Sequence, residues 1–481
     1  MCHVTDFETV HDDREKETVE LNKMTMKIRL NKQIISIALP VMVQNLAFYA
    51  MQFTNTAFIG HYKIEGLSAI NNAMIPFHMF FSFFIALSQG TTIMIAQAIG
   101  AKDYKRASHV AETSLYYNQI ISFGYFLFWL LGGKYVLILM GVEGEILKMG
   151  TIYVQVLSGV FLTTGMNLTA SAIYQGIGRT TPIMVNNIIR SLVNIVLDYL
   201  LIFGKFGFPE LGITGAALAT LISSTINNVS LAERSLKNGV IEVTLRGALR
   251  PVKGVYRKVF MFGSQAGMEF MLFMGAQVVL IRMLNTTDPL SAGLYGIINT
   301  LLNLSVNIYL GVGVAATTLV GRATGAREHR QALSIGNRCV LYALVVCTAI
   351  GLLFVTAPSG ILHLFSSDEK ILAQLSPLLM IMVLISFPKS VNIVAGNSIR
   401  GTGDARWMLI TQFIGTIMII AVSAHMIFVV KMGLAGLLLA NFADEFWRSI
   451  VNYGRFIIGG KRLASRDPLP CSATITDNVR V

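Results

Sequence analysis

The chain has 481 residues, of which 54% are hydrophobic and 13% charged, with a formal net charge of +12 and a mean hydropathy of +0.62. Soluble globular proteins carry about 25% charged residues, so this composition excludes that class and points to a chain embedded in lipid. The basic excess sits in short loops beside apolar runs, as membrane flanks facing anionic lipid do, and a nucleic-acid partner is not expected.

The first thirty residues are polar and charged, without the short apolar core of a cleavable signal peptide. Apolar runs of about spanning length then recur along nearly the whole chain. Lipid hydrocarbon offers no water to backbone groups, so each run is predicted to be a helix. About twelve spans are expected, near 33–60, 68–98, 108–136, 148–174, 182–204, 212–234, 256–284, 291–321, 332–356, 371–398, 407–430 and 434–458. Connectors carry turn chemistry such as Gly132-Gly133 and Gly207-Phe208-Pro209. The expected organisation is a cytoplasmic N-terminal segment 1–32, an N-lobe 33–234, a cytoplasmic linker 235–255, a C-lobe 256–461 and a disordered cytoplasmic tail 462–481. The fold class is all-α, polytopic.

The two predicted lobes repeat each other. Residues 92–107 read TIMIAQAIGAKDYKRA and residues 317–332 read TTLVGRATGAREHRQA, with Gly100 and Gly325 standing 225 positions apart. QGIGRTTP at 175–182 and RGTGDARW at 400–407 keep the same offset, and LGITGAALA from Leu211 matches MGLAGLLLA from Met432 after a small deletion. Six spans per copy return the chain to its starting side, so the repeats are parallel, related by an axis along the membrane normal. A membrane protein made of two similar halves is read as a transporter, with its substrate path at the seam.

One set of loops holds most of the basic residues, among them Lys102, Lys105, Arg106, Arg179, Arg250, Lys253, Arg327 and Arg406, while the opposite loops hold scattered lysines. The positive-inside rule places the rich set and both termini in the cytoplasm, in a cytoplasmic (inner or plasma) membrane. Four cysteines and eight scattered histidines show neither a disulfide framework nor metal-ligand spacing. No cofactor and no resident metal are expected.

Ionisable groups inside a span are expensive and mark function by default. Asp198 lies inside the fifth span, with Asn194 and Arg190 four and eight residues before it on the same helix face. A carboxylate beside a carboxamide offers hard oxygen ligands, and the carboxylate also takes a proton. The plainer alternative is a structural set in which Arg190 compensates Asp198. Glu269 sits near the middle of the seventh span, either as a cation-binding acid or as a protonated, hydrogen-bonded one. Lys389 follows Pro388 in the tenth span; it either meets Glu269 as a tethered counter-ion, attracts anionic substrate, or snorkels to the interface. Asp444 and Arg448 form an i, i+4 pair, read as structural self-neutralisation. Gln44, Asn55, Lys389 and Arg190 are the candidate cleft residues, and Pro40 and Pro388 the candidate hinges.

Several stretches in order resemble the multidrug and toxic compound extrusion (MATE) family over about residues 34–461. They are Leu39-Pro40, TNTAFIGHYKIEGLSA at 54–69, AQAIGAKDYKRA, VNIVLDYLLIFG at 193–204, GMEFMLF at 267–273, GRATGAREHRQA and SIRGTGDAR at 398–406. The resemblance implies two six-helix lobes in a V with a central cleft facing one side at a time. It also implies export of organic, often cationic compounds in exchange for entering H⁺ or Na⁺. On that basis Asp198 and Asn194 match the family's N-lobe coupling site, where Na⁺ would bind transiently, and Glu269 matches a C-lobe acid of its NorM-like branch. Two positions depart from the pattern. Asn55 stands where much of the family has an acid near the end of the first span, and Lys389 stands where the NorM-like branch has an acid in the tenth. Asn55 cannot titrate, which removes a proton relay through that position.

The expected function is a monomeric secondary antiporter that exports an organic compound against H⁺ or Na⁺. A lipid-linked saccharide flippase of the same superfamily is the alternative, since Lys389 and Arg190 hint at a basic cavity. A membrane-embedded enzyme is a weaker one, lacking a catalytic constellation.

Overall fold

The computed structural model describes residues 5–62, 64–287, 289–363 and 368–465. Fifteen helices follow one another: α1 Thr5–Tyr62, α2 Ile64–Gly100, α3 Tyr104–Leu139, α4 Gly144–Ser158, α5 Phe161–Gly176, α6 Thr181–Phe203, α7 Gly212–Leu236, α8 Leu245–Ala248, α9 Lys253–Thr287, α10 Pro289–Gly325, α11 His329–Thr356, α12 Pro358–Leu362, α13 Glu369–Thr402, α14 Ala405–Ala424 and α15 Gly433–Ala464. Among the described residues nine helices are long and apolar enough to cross a membrane, and α4 with α5 makes a tenth span. The remaining two are α7 and α15. Asn227 and Asn228 lower the hydropathy of α7, and Asp444, Glu445 and Arg448 that of α15, yet all five side chains are buried in the bundle. The result is twelve spans in two parallel sets of six.

Local geometry repeats with the sequence. Lys102 and Arg327, 225 positions apart, both adopt left-handed backbone (φ 57° and 62°), and Gly178 and Gly403 do the same in the second pair (φ 63° and 95°). Only glycine takes that conformation without a steric penalty, so the two charged residues hold their turns against the usual preference.

The prolines do not open or break the helices. Pro40 lies inside α1, Pro76 inside α2, and Pro377 and Pro388 inside α13. Pro40 lacks an N–H, which leaves the Ser36 carbonyl four residues earlier without its usual donor. Thr180, at the head of α6, fills the gap: its hydroxyl donates to Ile37 O at 2.8 Å and reaches Ser36 O at 3.5 Å.

Three expectations about spans need correcting. Gly132 and Gly133 are not a connector; both lie within α3, where a Cβ on Gly133 would stand 3.1 Å from Val154 of α4. The turn comes later, at Gly141 (φ 76°). The run 148–174 is not one straight span, because α4 and α5 meet at an angle of 50° around Gly159-Val160. Of the expected tail, α15 continues through Ala464, and residues 466–481 lie outside the described residues.

The lobes are not sealed units. Leu30, Ile34, Ile37 and Ala38 of α1 are buried in a core built from α10, α11, α13, α14 and α15. Reciprocally, Val259 of α9 is buried in a core of α2, α3, α5, α6 and α7. At the end bearing the basic loops, Gln97 Nε2 donates to Gly401 O at 3.0 Å and Arg322 Nε to Gly176 O at 3.3 Å, each across the seam. Backbones cross there closely: a Cβ on Gly100 would overlap the Arg322 carbonyl, and one on Gly325 the Gln97 carbonyl. Among the described residues no hydrogen bond between lobes lies nearer the opposite end than Asn307 Nδ2 to Tyr49 Oη at 2.8 Å. The seam is latched at the basic end and parts towards the other.

Candidate functional site

Asp198 and Asn194 fall one turn apart on α6, so their side chains project together, here into the space between α1, α6 and α7. Asp198 is fully buried, and its Oδ1 has no hydrogen-bond partner among the described residues. The Asn194 amide has two arrangements. In one, its oxygen accepts from Asn55 Nδ2 at 3.0 Å and its nitrogen reaches Thr220 Oγ1 at 3.5 Å. Turned over, its nitrogen donates to Asp198 Oδ2 at 3.2 Å and its oxygen accepts from the Thr220 N–H at 3.3 Å. The second is the better satisfied once the Asn55 amide turns with it, because Asn55 Oδ1 otherwise has no partner.

The donor set is therefore a carboxylate, two carboxamide oxygens and a hydroxyl. Such hard oxygen ligands suit a proton on the carboxylate or a small hard cation among all four. Asn55 joins the site from α1 and Thr220 from α7. Thr220 was not anticipated: nothing in its sequence context, an apolar run on a separate span, distinguishes it from other threonines within spans. No cluster of three His, Cys, Asp or Glu side chains able to hold a metal occurs among the described residues.

Arg190 does not compensate Asp198. Eight steps along the helix put the two about 12 Å apart, and no ion pair joins them; the guanidinium lies instead over the Phe48 ring, 5.9 Å from its centroid. Gln44 accepts from Asn187 Nδ2 at 3.2 Å, clipping α1 to α6 one turn nearer the basic end.

The C-lobe carboxylates Glu269, Asp444 and Glu445 are each paired with a cation. Both oxygens of Glu269 stand 2.7 Å from Arg400 Nη2. Lys389 does not meet Glu269; it donates to Glu445 Oε1 at 2.8 Å and lies 5.7 Å from the Phe273 ring centroid. Arg448 reaches Asp444 Oδ2 at 2.5 Å and Glu445 Oε1 at 3.0 Å, and Gln412 Oε1 at 2.6 Å. Asn392 donates to Glu445 Oε2 at 2.9 Å and accepts from Asn452 at 2.8 Å. Two cations and two carboxylates thus cancel inside a shell of amides, which is how buried charge is tolerated. The self-neutralised Asp444–Arg448 pair is present as the sequence suggested, enlarged by Glu445 and Lys389. Arg400 is drawn in from the last turn of α13.

An apolar cavity of about 790 Å³ lies between α9 and α14, lined by Met268, Met271, Leu272, Phe413 and Ile420 among others. Its size is in the range of small-molecule sites, and methionine-rich walls adapt to varied shapes.

With this geometry in hand, comparison with known proteins is direct. The chain is 28% identical over 434 residues to a probable multidrug resistance protein NorM of Thermotoga maritima, covering 89% of this chain and 93% of that one. It is 24% identical over 441 residues to an uncharacterized transporter, YisQ, of Bacillus subtilis, covering 88% and 93%. Its fold superposes on a structure described as the outward-facing conformation of a multidrug resistance MATE family transporter of the MOP superfamily. The TM-score is 0.84 at 20% identity, covering 90% of this chain and 96% of that one. The MatE family model matches residues 40–200 and 266–425, one stretch in each lobe, and the chain belongs to the MatE family of membrane transporters.

Proposed function

We propose that the protein is a cation-coupled antiporter that exports organic, cationic compounds in exchange for entering H⁺ or Na⁺. The observation that carries this reading is the contrast between the lobes. Asp198 is buried among amide and hydroxyl oxygens with no cation paired to it among the described residues, whereas Glu269, Asp444 and Glu445 are each held by a fixed cation even though Asp444 Oδ1 is likewise unpartnered. An exchangeable ion meets no resident cation at Asp198.

The coupling follows from how α1 is anchored. Its outer half brings Asn55 to the Asn194 amide, while its basic half is buried in the C-lobe core. Pro40 lies between the two halves, where the helix hydrogen-bond ladder is interrupted. An ion that draws Asn55 and Asn194 oxygens onto itself pulls on the outer half of α1, and bending of α1 at Pro40 relays that pull to the latch. The ion shifts the equilibrium by the difference in its affinity for the two states, which is the requirement for coupling. Pro388 in α13 is assigned the corresponding hinge in the C-lobe. Gln44 flanks the path on the basic side of Asn194, and Lys389 sets the charge of the C-lobe wall through Glu445. Substrate reaches the seam from the cytoplasm or inner leaflet, and the adaptable cavity between α9 and α14 supports an apolar organic cargo.

We further assign both termini to the cytoplasmic side of the plasma membrane, from the positive-inside rule. The working unit is one chain, with residues 33–234 and 256–461 as its lobes and 235–255 as their linker. The flippase reading requires free cations in the seam, and the pairing of Lys389 with Glu445 argues against it.

The test is efflux of a fluorescent organic cation from proteoliposomes, with H⁺ and Na⁺ gradients imposed separately. Transport driven by one gradient and lost in Asp198→Asn supports the proposal and names the ion. Equal transport by wild type and Asp198→Asn would refute the coupling role.

A further inference from the structure

Two arginines on the flank of the N-lobe have no part in the coupling site. Arg190 on α6 and Arg234 on α7 line a narrow slot between these helices, together with Asn186, Ser223, Asn227 and Ser230. Neither guanidinium has an ion-pair or hydrogen-bond partner among the described residues, and the Arg190 Nε is enclosed without an acceptor. The adjacent acid, Glu233, is engaged by Lys237 at 2.9 Å. No carboxylate lines the slot, so its field favours an anion.

The setting says which anion. The rim is formed by Ile189 and Ile226, 46% and 52% exposed, in line with exposed Leu192 and Val196 on α6 and Ile222 and Val229 on α7. Such an apolar, exposed stripe on two spans has the composition of a face turned to lipid. Towards the basic end the slot shares Ser230 and Arg234 with a wider cavity of about 660 Å³ that also takes in Tyr174, Thr181, Lys237 and the Glu233 carboxylate that Lys237 engages. The Cα of Arg190 is about 13 Å from the start of α6, at 1.5 Å per residue. Side chains lean towards the helix N-terminus and arginine snorkels, which directs its guanidinium back towards that wider, polar mouth. An unpaired guanidinium at this depth is costly, and its planar fork of donors fits phosphate oxygens in pairs.

We propose that the slot between α6 and α7 binds the phosphate of an anionic phospholipid from the leaflet at the basic end. Arg190 and Arg234 hold the phosphate oxygens, the Ser230 hydroxyl adds a donor, and Ile189 and Ile226 flank the acyl chains. The site is separate from the Asp198 pocket and stands whichever ion drives transport.

The experiment uses the full chain in phosphatidylcholine vesicles with trace spin-labelled phosphatidylglycerol or spin-labelled phosphatidylcholine, reading the motionally restricted fraction of each. The expected result is a preference for phosphatidylglycerol that falls at least about fivefold, the factor one basic residue contributes against an anionic surface, in the double variant Arg190→Gln/Arg234→Gln. The double variant Arg190→Lys/Arg234→Lys should keep most of the preference, which separates loss of charge from loss of fold. No preference in the wild type, or one unchanged in the glutamine variant, would overturn the proposal. Excess inorganic phosphate at constant ionic strength decides the source: undisturbed label supports the lipid, and displaced label overturns the lipid assignment in favour of the free ion.

Discussion

Gln97 donates to the Gly401 carbonyl at 3.0 Å, and Arg322, its counterpart 225 residues on, donates to the Gly176 carbonyl at 3.3 Å. Each side chain caps the last turn of a helix in the opposite lobe, where carbonyls lack a partner within their own helix. Arg322 brings a positive charge to the negative end of α5, whereas Gln97 brings none to α13, so the two arms of the latch are unequal.

Closure of that latch needs glycine at the crossing. Gly325→Ala puts a methyl group into the Gln97 carbonyl when the lobes meet, and nowhere else need it clash. The variant should fold, favour the state open at the basic end, and lose most of its transport rate. Labelling of a cysteine placed at Thr318, 0% exposed in the latched state, by an impermeant maleimide checks this. Faster labelling in the alanine background is expected, and equal rates would show that the crossing does not gate the seam.

Asp198→Asn removes a buried carboxylate whose Oδ1 is unpartnered. Gradient-driven transport should fall at least about a hundredfold, while the melting temperature holds or rises, because an unpaired buried polar group costs about 1–3 kcal/mol. Thermal unfolding in detergent beside the efflux assay reads both. A sharp drop in melting temperature would point to a structural role.

Thr220→Val replaces a hydroxyl 3.5 Å from the Asn194 amide with a methyl group of similar shape. The half-saturating concentration of the driving ion should rise by about three- to thirtyfold, the equivalent of about 0.6–2 kcal/mol for one ligand, with the maximal rate little changed. Titration of the driving cation in the efflux assay tests this. An unaltered curve would take Thr220 out of the site.

The C-lobe network predicts a double-mutant signature. Lys389→Met leaves Glu445 under-compensated and should destabilise the protein by about 3–5 kcal/mol. Adding Glu445→Gln should restore most of that loss, since Arg448 keeps its pairing with Asp444 at 2.5 Å. Both variants, once folded, should keep the wild-type choice of driving ion. Unfolding midpoints for the four-member cycle give the coupling energy, and additive effects would mean that the pair contributes nothing of its own.

Duplication and span order were legible because they are properties of neighbours along the chain: the motif at Lys102 returns at Arg327 with the same unusual backbone. Asp198 and Asn194 were legible because one helical turn joins them. Partners across the bundle were not. Asn55 meets Asn194 from 139 positions away, Glu269 meets Arg400 from 131, and Lys389 meets Glu445 from 56. Nothing local encodes such meetings, so the sequence offered Lys389 the wrong acid. Gly132 and Gly133 misled for a related reason, since glycine that lets helices pack closely has the same composition as glycine that turns a chain.

The crossed anchoring of α1 and α9 has a consequence for biogenesis. The core of α2, α3, α5, α6 and α7 lacks Val259 until α9 is made, while the N-terminal part of α1 must wait for α10 and α13 before it can be covered. The first half therefore leaves the ribosome with an incomplete interior and an apolar strip exposed in the bilayer. Separately expressed halves should be poor substitutes for the intact chain, and a chaperone or insertase that shelters α1 during synthesis would act until the second half arrives.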